Sequence, residues 1–178
     1  EPLESGRITV SRAARQAEFP ACFQLVAAMN PCKCGYLGHH SGKCRCTPDQ
    51  VALYRSRISG PLLDRIDIHV AVPALRDGDL IAATAGERSA AVRTRVVRAR
   101  ALQLRRQAMP NARLHGGDLE RRIGLHPGAR AFLRNSMSRL ALSARAHHRV
   151  LKVARTIADL EGDNRVGAEH VAEAIQYR

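Results

Sequence analysis

The spacing of hydrophobic and polar positions changes character about seventy residues into the chain, from strand-like periods to helical ones. After Gly6, the run Arg7-Ile8-Thr9-Val10-Ser11 alternates polar and apolar side chains, and Gln16 to Phe19 supplies a return strand. The two predict a hairpin with Arg12 and Arg15 near its tip, without the Asn-Gly or Asp-Gly dipeptide that would set its register. Phe23-Gln24-Leu25-Val26-Ala27-Ala28-Met29 is instead a near-continuous apolar run closed by Asn30-Pro31. That pattern fits a strand buried on both faces of a parallel sheet. Asn30 then stands at the strand's carboxyl end, the edge where open α/β sheets bind ligands. A polar loop follows to Cys46, and Thr47-Pro48-Asp49-Gln50 has the N-cap-plus-proline form of a helix start, predicting a helix over about 48–58. Ser59-Gly60-Pro61 breaks it, and Ile66 to Val72 alternates again as a strand ending at Pro73.

Beyond Asp77-Gly78 the apolar positions recur with helical spacing. Helices are expected over 87–107, 118–123, 127–140, 143–160 and 168–177. Pro127 suits a first turn, and Ser143 suits an N-cap. Gly162 follows the end of the stripe Val150, Leu151, Ala154, Ile157, Ala158, where a left-handed C-cap belongs. A helical bundle is the natural outcome. The domains are therefore drawn as an α/β part at 1–74 and an all-α part at 75–178.

Composition narrows the function classes. The chain has 178 residues with 45% hydrophobic content, enough for one domain or two small ones and too apolar for disorder. No apolar run approaches the ~18 residues of a membrane span, and Glu1 to Arg12 lacks a signal-peptide core. A soluble, cytoplasmic, non-membrane protein is expected. Lys and Arg number 29 against 16 Asp and Glu, a surplus of +13 that predicts a polyanionic partner, nucleic acid or nucleotide phosphates. Aromatic residues make up only 3%, so contact is expected mainly with phosphates. Arg93, Arg95, Arg98, Arg100, Arg105 and Arg106 share no single helical face and read as a solvated surface.

Four of the five cysteines fall as Cys32-Lys-Cys34, nine residues, then Cys44-Arg-Cys46. Two close thiol pairs flanking a loop with Gly35, Gly38 and Gly42 can fold back into a closed tetrahedral thiolate site for structural zinc, with Lys33, Lys43 and Arg45 offsetting its charge. His39 or His40 can substitute as ligands. Four reduced thiols or a disulfide pairing are the other readings, the latter disfavoured by the intracellular setting. Cys22, before an apolar run, reads as a small buried residue. Gly38-His39-His40-Ser41-Gly42-Lys43-Cys44 is not a P-loop, because three residues rather than four separate its glycines and Cys44 stands where Ser or Thr would hold Mg²⁺. Lacking Walker A and Walker B motifs, the chain is expected to be inactive alone as an NTPase.

The strings Phe23-Gln-Leu-Val-Ala-Ala-Met-Asn-Pro-Cys-Lys-Cys-Gly-Tyr-Leu-Gly, Cys44-Arg-Cys-Thr-Pro-Asp-Gln and Ser59-Gly-Pro-Leu-Leu-Asp-Arg-Ile-Asp-Ile-His-Val closely resemble the magnesium-chelatase-like AAA+ ATPases of bacteria, the YifB/ComM group. So do Leu142-Ser-Ala-Arg-Ala-His-His-Arg-Val-Leu-Lys-Val-Ala-Arg-Thr-Ile-Ala-Asp-Leu-Glu-Gly and Ala168-Glu-His-Val-Ala-Glu-Ala, so the resemblance covers essentially the whole chain. It implies the C-terminal half of an AAA+ module, downstream of Walker B: a partial P-loop NTPase α/β core with a β-hairpin and a Cys-rich loop, followed by an all-α helical lid. Asn30 matches sensor 1, Arg65 the arginine finger offered to a neighbouring subunit, and Arg145 sensor 2. The hairpin with Arg12 and Arg15 matches the insertion that points into the pore of related ring helicases, a DNA-binding role.

The resemblance further implies a homo-hexamer with ATP and Mg²⁺ bound at subunit interfaces in the full-length parent. The leading expectation is an ATPase that remodels DNA by branch migration in recombination and competence. The alternatives are the ATPase subunit of a magnesium chelatase and a stand-alone zinc-stabilised basic module that binds nucleic acid.

Overall fold

The computed structural model describes residues 2–12, 15–74 and 86–178, which form two compact units, Glu1–Ile66 and Asp67–Arg178. In the first, a single turn α1 (Pro2–Ser5) precedes the antiparallel strands β1 (Arg7–Arg12) and β2 (Arg15–Pro20). Their register pairs Ile8 with Phe19, Val10 with Ala17 and Arg12 with Arg15. Alternation therefore collects Ile8, Val10, Ala17 and Phe19 on one face and places two like charges opposite each other at the end. The hairpin forms as the period-two pattern predicts.

The other two expected strands do not form. Residues 23–29 and 66–72 join no sheet among the described residues, and Phe23, Leu25, Val26, Met29, Ile68, Val70 and Val72 are exposed. An apolar run becomes a strand only where it lies beside backbone that pairs with its N–H and C=O groups, and neither run pairs with the β1–β2 ladder. In place of the expected α/β core, the described residues are mostly helical with a small two-stranded sheet. Cys22 is likewise exposed rather than buried, with its Sγ 3.9 Å from the Gly6 carbonyl. Helix α2 (Pro48–Arg55) starts as expected, with Thr47 Oγ1 accepting from the Gln50 N–H at 3.3 Å. The Ser59-Gly60-Pro61 break instead nucleates a short helix α3 (Gly60–Leu63), because Ser59 serves as its N-cap and Pro61 sits in its first turn.

The second unit is helical: α4 (Ser89–Gln107), α5 (Gly116–Ile123), α6 (Pro127–Arg139), α7 (Ala144–Glu161) and α8 (Ala168–Gln176), with a 3₁₀ turn at Asn111–Arg113. These lie within two residues of the boundaries that capping and periodicity predict. Ser143 Oγ accepts from the Ala146 N–H at 3.1 Å, and Gly162 ends α7 at φ +93°, a conformation that L side chains rarely adopt. Helix α7 is the axis of the core. Val150, Leu151, Ala154 and Ala158 are buried against Leu114, Leu119, Ile123, Leu133, Val166 and Val171. Asp67 and His69 belong to this unit, held by an Arg149–Asp67 ion pair and by the His69 N–H donating to the Tyr177 carbonyl at 2.9 Å. No helix among the described residues is long and apolar enough to cross a membrane.

A polar network runs through that core. Asp159, fully buried, accepts from both terminal nitrogens of Arg106 at 2.7 and 2.8 Å, from Asn111 Nδ2 at 2.9 Å and from Arg155 Nε at 3.1 Å. Arg155, itself buried, also donates to the carbonyls of Ile123, Asn164 and Asp163, where α5 ends and α8 approaches. Burial pushes the Asp159 carboxyl up, but the hydrogen bonds from Arg106 and Asn111 and the two guanidinium charges outweigh it and hold it below the ordinary carboxylate value. Arg106 is therefore not part of a solvated surface, and Arg98 is also engaged, donating to the Leu160 carbonyl at 3.0 Å.

Candidate metal centre

The loop from Pro31 to Thr47 brings the four clustered cysteines to one point. Their sulfurs all lie within 4.8 Å of one another. Cys32 Sγ is 3.3 Å from Cys34 Sγ and 3.8 Å from Cys44 Sγ, Cys34 Sγ is 3.7 Å from Cys44 Sγ, and Cys46 Sγ is 3.4 Å from Cys34 Sγ. Four thiolates at about 2.3 Å from a tetrahedral ion stand about 3.8 Å apart, so the set fits one such ion with little adjustment. All four positions of the ion would be protein sulfur, which makes the site closed and structural. His39 and His40 lie outside the converging group.

The sulfurs are electrostatically unequal. Burial pushes the Cys32 thiol up, but hydrogen bonds from the Cys34 side chain and the backbone of Leu37 and Cys34 outweigh it and bring it down to about 6. Cys46, hydrogen-bonded to Cys34 and partly desolvated, is pushed up to about 11. The thiols form a chain of contacts, with Cys46 donating to Cys34 and Cys34 to Cys44, and the Cys34 thiol is also held below its ordinary value, chiefly by hydrogen bonding to the Tyr36 backbone. A tight turn spans the first C-x-C pair, with Gly35 N–H donating to the Cys32 carbonyl at 3.0 Å, and another precedes the second, with Gly42 N–H donating to the His39 carbonyl at 3.2 Å. Gly35 takes φ +82°, and a side chain there would contact Asn30.

Asn30 is thereby placed at the foot of the cysteine loop, two residues before its first ligand and exposed. Arg55 Nε donates to the Pro31 carbonyl at 3.3 Å, tying α2 to the same foot. Arg65 is mostly buried, its side chain 11% exposed, with Nη1 donating to the Pro61 carbonyl at 2.8 Å and Nε 3.2 Å from a Glu4 carboxylate oxygen. Arg12 and Arg15 stand opposite each other at the hairpin end, both exposed. In the helical unit Arg145 is exposed at the second position of α7, a helix with no acidic residue in its first turn. A cation there faces the positive end of the helix dipole, so its favourable partner is an anion. Sequence reasoning missed the buried Asp159 network. Arg155 and Asp159 do extend the apolar stripe of α7 at i, i+4 spacing, which was the available signal.

Two other features of the helical unit are less suited to ligands. Glu161, Asp163 and His170 converge, but His170 Nδ1 accepts from the Gly167 N–H at 2.8 Å, so Nε2 carries the proton and donates to Glu161 at 2.8 Å. Nδ1 caps the start of α8 and Nε2 joins that helix to the end of α7, so both ring nitrogens are engaged and no lone pair is left for a metal. A cavity of about 290 Å³ is lined by Glu120, Arg130, Leu133, Arg134, Met137 and His147 among others, and its lining does not include Arg145. Burial there, with the neighbouring His148 and Arg130, pushes the His147 imidazole below its ordinary value.

Comparison with known proteins also divides the chain in two, at 80–86 rather than after Ile66. The family model "Magnesium chelatase, subunit ChlI C-terminal" matches residues 86–178, and "Magnesium chelatase, subunit ChlI" matches residues 1–80. The chain is 46% identical over 180 residues to the competence protein ComM of Haemophilus influenzae. It is 45% identical to the uncharacterised protein YifB of Salmonella typhimurium and 43% identical to that of Escherichia coli. Each alignment covers 100% of this chain and 35% of the relative, so the chain spans about a third of the length of the curated relatives it matches.

Proposed function

The chain belongs to the magnesium chelatase family, and from that premise we propose that it works as the C-terminal part of a hexameric AAA+ ATPase that couples ATP hydrolysis to DNA remodelling, the branch migration of recombination and competence. The observation that carries this reading is the 46% identity of the chain, along its whole length, to about a third of a competence protein. The +13 charge surplus adds independent support, since a polyanion would relieve its self-repulsion.

On this reading Asn30 orients the attacking water as sensor 1, Arg65 is offered to the nucleotide of a neighbouring subunit, and Arg145 reaches phosphate from the lid. A guanidinium suits both arginine roles because it stays charged and presents forked donors to phosphate oxygens. To reach that phosphate Arg65 gives up the Glu4 carboxylate, one anion for another, and the Pro61 carbonyl. Arg12 and Arg15, forced together by the hairpin register, are relieved of mutual repulsion by a DNA phosphate between them. The four cysteines hold structural zinc, which supplies no chemistry beyond fixing the loop that begins at Asn30.

In the full-length protein, Arg65→Ala is expected to lower ATP turnover about 10³-fold or more while nucleotide binding persists. Ordinary turnover in that variant would remove the finger assignment. The family's own description keeps a second reading in play, an ATPase driving metal insertion into a porphyrin. An ATPase rate that rises on adding DNA supports the remodelling reading; a rate indifferent to DNA supports the other.

A further inference from the structure

We infer that the cysteine loop is itself a contact for single-stranded nucleic acid, with the rings of Tyr36, His39 and His40 receiving an unstacked base and Lys33, Lys43 and Arg45 its flanking phosphates. The inference rests on the DNA reading above and names a surface that reading does not use. Three rings gather in this short loop. Tyr36 meets His39 edge-on at 5.5 Å between centroids, and His39 stacks on His40 at 4.2 Å with 28° between the planes. They do not serve as a core. Cys32 is the buried residue of the loop, whereas Tyr36 is 41% exposed, the adjacent Leu37 is 36% exposed, and His40 lies at the surface. His39 is held in place by the Ser41 N–H donating to its Nδ1 at 3.0 Å, so the stack is oriented from below and His40 presents its outer face to solvent.

The charge pattern agrees. From Ala21 to Pro48 the chain contains no Asp or Glu, while Lys33, Lys43 and Arg45 alternate with the cysteines. Four thiolates on a divalent ion carry a net charge of about −2, so three cations around them leave the loop positive. Exposed rings framed by cations, on a loop fixed from within, combine the stacking platform and the backbone-tracking charge by which proteins hold single strands. In a duplex the base faces are already stacked, so this surface discriminates in favour of unpaired strand.

The test uses the 178-residue chain loaded with zinc and fluorescein-labelled oligothymidylate, with a mixed-sequence duplex of the same length as comparison, read by fluorescence anisotropy. Tyr36→Leu with His40→Ala is expected to weaken oligothymidylate binding about tenfold or more and to leave duplex binding unchanged, and His40→Phe, which restores a ring, to bind like the parent. Lys43→Gln is expected to flatten the dependence of log K on log salt by about 0.7. Zinc content is measured for each variant, and should the double variant lose zinc, His40→Ala, outside the sulfur cluster, carries the comparison. Oligothymidylate binding unchanged in the ring variants, but weakened by Arg12→Gln with Arg15→Gln, overturns the loop contact and leaves the DNA reading standing. Failure of the parent chain to bind either probe at low salt removes both.

Discussion

The two units solve the problem of staying folded in different ways. Among the described residues of Glu1–Ile66, the one buried hydrophobic side chain is Cys32, and the hairpin strands are exposed along their whole length. Asp67–Arg178 buries Leu119, Ile123, Leu133, Val150, Leu151, Val166 and Val171 in a single cluster and adds a satisfied ionic network beneath it. A unit without a core needs a cross-link, and four convergent thiols provide the ligands for one. A unit with a core can carry buried charge, provided every partner is present.

The largest effect expected from this contrast is metal removal. With the four thiols holding zinc as proposed, chelation, or Cys32→Ser, is expected to abolish hydrogen-exchange protection across residues 31–47 and to leave 116–176 protected. Equal loss in both units would erase the contrast. Next comes Asp159→Ala, which strands Arg155 and Arg106 without their carboxylate. It is expected to cost about 3–5 kcal/mol in the denaturant stability of the helical unit and to leave zinc content unchanged.

The same carboxylate sets the acid response. Its folded pKa lies below the unfolded value of about 3.9, so its contribution is fully present above that pH and is lost as pH falls through the lower folded value. Acid unfolding followed by far-ultraviolet circular dichroism should show this component in the parent and lose it in Asp159→Ala. The smallest effect is at a helix cap: Ser143→Ala is expected to cost about 1 kcal/mol, again in the helical unit alone.

How far the sequence could be read follows from the same contrast. The helices were legible because their determinants are local. Thr47 and Ser143 cap, Pro127 opens a first turn and Gly162 closes α7, each acting within a few residues of itself. The cysteine cluster was legible for a similar reason, as nine residues between two C-x-C pairs is a length that folds back. Residues 23–29 misled because apolar composition states only that a run could be buried, while a strand also requires partner backbone. Cys22 misled in the same way. Arg106 was read as solvated because its partner, Asp159, lies fifty-three positions away in sequence.

Sequence by itself determined the hairpin, the helix starts and stops, the thiolate set and the family, since each is written in spacings or strings the chain carries locally. Tertiary structure decided which charges are structural and which remain on the surface. It buried Asp159 between two arginines, closed Arg65 onto Glu4, and left Arg12, Arg15 and Arg145 exposed. The physical reason is that a charge has much the same local sequence signature in either place, whereas its energy depends on the dielectric and the partners that only folding assembles.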